Sequence, residues 1–120
     1  MPHLDVKMSY GISSKIRPDD LLRKLHDVLS EQETIKLEQI KSKMFISDFE
    51  YIGDVVETPQ DYVHVEIKLM PGRSQEIKQT ISKSLHEVVV KEIESANLKS
   101  YNTVEVSELD ENSYSSSKDY

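Results

Sequence analysis

Pro2 occupies the position with the most distinctive chemistry in the chain. Removal of Met1 exposes it as the chain's single main-chain amine, and a secondary one. An α-amino group ordinarily titrates near ~8, so a modest downward shift gives a neutral base at working pH. Apolar surroundings or nearby cations supply that shift, because both disfavour the ammonium form. A base with a pKa close to ambient pH is suited to proton transfer. While Met1 is attached, the same nitrogen is an amide and no base. Proline is a small second residue of the kind that permits Met1 removal, so a mature chain starting at Pro2 is expected.

Three further groups carry chemistry. Pro71-Gly72-Arg73-Ser74 joins a strand pattern to a helix start. Backbone N–H groups at that helix end, with the Arg73 guanidinium, suit a carboxylate. An ordinary strand-to-helix turn with a solvated arginine has the same composition. Lys41 and Lys43 alternate onto one strand face with Phe45, an arrangement open either to an anion pocket or to a solvent-facing mixed surface. His3, His26, His64 and His86 have no short ligand spacing, so they predict no metal set. No Ser-His-Asp motif, glycine-rich phosphate loop or paired-carboxylate signature is present.

The elements that must position these residues are legible as periodicities. Residues 2–9 alternate, with Leu4, Val6 and Met8 opposite His3, Asp5 and Lys7, which predicts a half-buried strand. Gly11 and Ser13–Ser14 predict a loop. Pro18 with Asp19 and Asp20 opens a helix to about Ser30, with Leu21, Leu22, Leu25, Val28 and Leu29 at helical spacing. Residues 40–49 alternate again, with Ile40, Ser42, Met44 and Ile46 opposite Lys41, Lys43, Phe45 and Ser47, which predicts a strand with one apolar and one mixed face, and a loop containing Pro59 spans 53–61. Residues 61–70 give the clearest strand, with Val63, Val65, Ile67 and Leu69 on one face. Ser74 is placed to cap a helix over 74–95, with Ile77, Ile81, Leu85, Val88 and Ile93 as its core face. Asn97 marks its end, and 103–109 is a final strand. Residues 110–120 are polar and predict a loose tail.

The order is therefore β-α-β twice, offset by roughly 60 residues in a chain of one domain over 1–120. By pattern alone this is also the element order of a ferredoxin-like fold, which hosts many functions.

Composition narrows the partners. The 120 residues are 37% hydrophobic and carry a net charge of −7, with no cysteine. The acidic balance excludes a phosphate-neutralising nucleic-acid binder and an anionic membrane surface. It leaves room for a small anionic substrate in a locally cationic pocket. Absence of cysteine excludes disulfides and thiolate chemistry. No signal peptide or membrane-length apolar run is read, so a cytoplasmic location is expected.

Taken in order, Met1-Pro2-His3-Leu4, Ile40-Lys41-Ser42-Lys43, Asp61-Tyr62-Val63-His64-Val65, Gly72-Arg73-Ser74 and Val104-Glu105-Val106-Ser107-Glu108-Leu109 resemble the carboxymethyl-hydroxymuconate isomerases of the tautomerase superfamily. The resemblance implies an α+β fold of β-α-β pseudo-repeats, with four main strands and two helices on one face. It implies a homotrimer with active sites between subunits and no metal or organic cofactor. It further implies an isomerase of aromatic-compound degradation, in which Pro2 acts as general base and then acid on a small unsaturated hydroxy or keto polycarboxylic acid. Arg73, Lys41 and Lys43 would bind the substrate carboxylates and stabilise the dienolate.

Lys41 and Lys43 stand where the family has arginines. They keep the charge and lose the bidentate fork. Asp5 replaces a usually apolar residue and would favour a protonated Pro2 if it pointed inward. These departures keep two alternatives open: a non-catalytic trimer of this fold, or a relative with another reaction such as hydration or decarboxylation. A ferredoxin-like binding module, with Pro2 incidental, is the third reading.

Overall fold

The computed structural model describes residues 2–54 and 61–119. Its elements are β1 (His3–Ser9), α1 (Tyr10–Ser13), α2 (Pro18–Leu29), a 3₁₀ turn (Leu37–Gln39), β2 (Lys41–Ser47), β3 (Tyr62–Leu69), α3 (Gln75–Ser95) and β4 (Tyr101–Glu108). The strands form one sheet in the order β2-β1-β3-β4. β1 pairs parallel with β2, β3 pairs parallel with β4, and the two central strands meet antiparallel. Each half is thus an unsplit βαβ unit, with its two strands adjacent. That pairing sets the molecule apart from the split βαβ of a ferredoxin-like sheet, which the element order alone allowed.

One face of the sheet is covered. Leu4, Val6, Met8, Val63, Val65, Ile67 and Leu69 are buried there with Leu21, Leu25 and Leu29 of α2 and Ile81, Leu85, Val89 and Ile93 of α3. α2 starts at Pro18, whose fixed φ suits the first helical position, and Asp19 and Asp20 face its positive end. Its buried leucines recur every four residues, as one helix face requires. Lys24 joins the helices by pairing with Glu92 of α3 and with Asp20 of its own helix.

Both ends of α3 are fixed by local chemistry. The Ser74 hydroxyl accepts the Ile77 N–H at 3.2 Å, as an N-cap should. At the other end Asn97 takes a φ of 57°. The Asn97 N–H then reaches Glu94 O at 3.0 Å and the Leu98 N–H reaches Ile93 O at 3.1 Å. These are the two bonds of a Schellman motif, and Leu98 packs on the core behind it.

Four local expectations need correction. The predicted loop at Gly11 and Ser13–Ser14 begins as the helical turn α1, because burying Ile12 completely outweighs the turn propensity of its neighbours. On α3, Ile77 is 41% exposed and Val89 is fully buried, so the core stripe is Ile81-Leu85-Val89-Ile93. Ile46 is 51% exposed because β2 is an edge strand, and its covered face fades beyond Met44. β4 starts at Tyr101, two residues before the predicted strand. Most of the loop read at 53–61, with Pro59, lies outside the described residues. Among the described residues, no helix is long and apolar enough to cross a membrane.

Candidate active site

The fold delivers Pro2 to the head of a central strand. Pro2 is buried, and its carbonyl accepts the Lys41 amide N–H at 3.1 Å. This bond starts the β1–β2 ladder and fixes the proline backbone against the first residue of β2. Strand alternation puts Pro2 on the covered side with Leu4 and Val6, and His3 and Asp5 on the open side.

The register sorts the open face into rows. Lys41, His3, Lys68 and Ser107 lie side by side across the four strands, next to Pro2. The following row is Lys43, Asp5, Glu66 and Glu105, and the one after it is Phe45, Lys7, His64 and Thr103. Basic groups therefore concentrate in the row nearest the proline, and acids in the next. A cleft of about 400 Å³ opens over these first two rows, lined by His3, Asp5, Lys41, Lys43, Lys68 and Leu109 among others. Among the described residues neither Lys41 nor Lys43 forms an ion pair. Lys68 has a long one, 3.9 Å, to Glu66. A larger and more open hollow of about 680 Å³ lies between the first turns of α3 and Val106, and holds none of the predicted site residues.

Arg73 stands apart from the cleft wall. It follows the turn at Gly72, whose φ of 122° suits glycine. Its guanidinium donates to Thr34 Oγ1 at 3.0 Å and to Met70 O at 3.4 Å, and its Nε is buried without a partner among the described residues. The structure thus puts Lys41 and Lys43 on one cleft wall, joins Pro2 to Lys41 by a backbone bond alone, and holds Arg73 at the head of α3. Asp5 points away from the Leu4/Val6 face, as its alternation predicts, and enters the cleft wall opposite Lys43.

Two neighbours of His3 carry no functional signal in the sequence. Lys68 alternates outward on β3 with His64 and Glu66, and the pairing of β1 with β3 is what sets it beside His3. Tyr114, in the polar tail, brings its hydroxyl within 2.8 Å of His3 Nε2. Burial, then the charge of Lys41, hold the His3 imidazole below its ordinary value of 6.5. His26 on α2 is also lowered by burial and bonds Ser42 Oγ at 2.7 Å, tying helix to edge strand. His64 links two β4 side chains, Thr103 at 2.7 Å and Glu105 at 2.9 Å.

A small α+β protein whose two unsplit βαβ halves meet antiparallel in one four-stranded sheet has the architecture of the tautomerases. The sequence profile of the 5-carboxymethyl-2-hydroxymuconate isomerases matches residues 2–118, and the chain belongs to that family. Solved structures agree on the fold. A 5-carboxymethyl-2-hydroxymuconate isomerase from Deinococcus radiodurans R1 superposes with a TM-score of 0.85 at 24% identity, covering 98% of this chain and 90% of that one. A 5-carboxymethyl-2-hydroxymuconate delta-isomerase gives 0.83 at 12% identity, covering 99% and 89%. A fused 4-OT, described as a wild-type symmetric trimer, gives 0.69 at 18% identity, covering 89% and 85%. Comparison with curated proteins returns no match.

Proposed function

We propose that the chain, once Met1 is removed, is a cytoplasmic, cofactor-independent isomerase of aromatic-compound degradation. It shifts a proton along a small unsaturated hydroxy or keto acid with at least two carboxylates, and it works as a homotrimer. The observation that carries this reading is Pro2 at the head of β1, its carbonyl bonded to the amide of Lys41, which lines a cationic cleft, in a chain of this family.

In this mechanism the Pro2 amine, at the head of β1 beside the apolar core, is the base, because apolar surroundings disfavour the ammonium form. It takes a proton from the substrate enol and returns one to a carbon farther along the conjugated chain, so the base becomes the acid within one turnover. Negative charge spreads over the dienolate between those steps. Lys41 and Lys43 hold the carboxylate nearest the proline and offset that charge. Arg73 acts at the margin of the site, where Thr34 orients it. Trimer formation would cover the edge strands β2 and β4, where Phe45, Ile46 and Tyr101 are exposed.

The reading is tested by following ketonisation of a dienol dicarboxylate in the ultraviolet with protein verified by mass to begin at Pro2. Turnover well above the spontaneous rate is expected, with mass measurement giving three chains. A rate equal to the buffer blank would overturn it.

A further inference from the structure

The row Lys41–His3–Lys68 has a property that neither lysine has alone. Each lysine is the direct register partner of His3, one on β2 and the other on β3. Their backbones are thus two strand spacings apart, roughly 10 Å. Both line the same cleft. The imidazole between them is occupied on Nε2 by the Tyr114 hydroxyl, so the middle of the row presents a ring flanked by two separate ammonium groups. The floor beneath changes sign at once: Asp5 and Glu66 are the next register pair. An anion lying across the strands meets a cation at each end, whereas one lying along β1 or β3 runs into Asp5 or Glu66.

We propose that Lys68 is a substrate-binding and specificity-determining residue, forming with Lys41 a two-ended grip for a linear dicarboxylate lying across the strands. This rests on the isomerase reading and adds to it the second pole and the orientation of the ligand. Lys68 can take this role because its acidic partner among the described residues, Glu66, is 3.9 Å away and also accepts a bond from Ser107 at 3.5 Å. A ligand carboxylate at hydrogen-bonding distance outcompetes so long a contact. Monocarboxylates engage one pole only and gain nothing from Lys68.

The test is equilibrium binding, which needs no turnover. Affinities of adipate and hexanoate, two six-carbon acids differing by one carboxylate, are measured by calorimetry for the wild type, Lys68→Gln, Lys68→Arg and the remote control Lys15→Gln. The wild type is expected to prefer adipate. Lys68→Gln should weaken adipate about tenfold, as loss of one charge-assisted bond does, and leave hexanoate unchanged. Lys68→Arg should retain the preference and confirm that the site remains folded. Equal adipate affinity in Lys68→Gln and wild type, or no preference for adipate in the wild type, would overturn the proposal. Selective adipate binding without dienol turnover would instead remove the isomerase reading and leave the grip standing.

Discussion

The hydroxyl of Tyr114 lies 2.8 Å from Nε2 of His3, bridging the tail and the first residue of β1. The rings meet edge to face, with centroids 6.0 Å apart. Tyr114 therefore contributes to the burial that is the main cause of the lowered His3 pKa. Tyr114→Ala should raise the His3 midpoint toward 6.5, read by proton NMR of the ring. A midpoint that stays at the wild-type value would contradict the contact.

Histidine burial also sets a stability profile. His3 and His26 both have folded pKa values below 6.5, so the unfolded chain binds protons first as pH falls. Their contribution is complete above 6.5 and is lost as pH drops through the depressed values. Asp5 opposes the shift at His3 and Asp27 opposes it at His26, whereas Lys41 and Lys68 reinforce it at His3. Asp20, lowered by its bonds from Arg23 and Lys24, acts in a separate window, beginning below its ordinary 3.8. Urea midpoints should thus fall between pH 7.5 and 5, with a shallower fall in the His3→Gln, His26→Gln double variant. The same slope in both proteins would show that other groups control it.

Core and surface positions of α3 should separate clearly. Leu85→Ala removes a side chain with 0% exposure and should cost about 2–5 kcal/mol. Ser74→Ala deletes the cap and should cost about 1 kcal/mol. Ile77→Ala, at a position 41% exposed, should cost less than either of a full core truncation's usual bounds, below about 2 kcal/mol. Denaturant unfolding measures all three. An Ile77→Ala loss equal to that of Leu85→Ala would restore Ile77 to the core.

At the cleft, Lys41→Ala should raise KM about tenfold, because it removes a charged bond to substrate. Lys41→Arg should keep KM near the wild-type value and suits a carboxylate by its planar fork. Steady-state rates over a range of substrate concentrations separate KM from kcat. Unchanged KM in Lys41→Ala would move the carboxylate elsewhere, with Arg73 the next candidate.

Much of this molecule is readable in its residues because the local signals agree. Val63-Val65-Ile67-Leu69 can be buried on one face only by a strand, and Ser74 and Asn97 bracket α3 with caps that depend on nearby atoms. Strand direction and order are different in kind. The element sequence is the same whether the βαβ halves are split or adjacent, and long-range packing decides between them. The site divides the same way. Pro2, Lys41 and Lys43 are visible from position and spacing, whereas Lys68 gains its meaning from lying opposite His3 across the antiparallel centre. Tyr114 sits in a polar tail with no periodicity, so its approach to a residue 111 positions away has no local signature.

The central claim is that the Pro2 amine moves the proton. The direct test compares dienol ketonisation by processed wild type and Pro2→Ala, both verified by mass to lack Met1, with circular dichroism confirming equal folding. The account predicts a fall in kcat of about 10²-fold or more in the variant, the scale of a lost general base. Equal kcat in the two proteins would contradict it.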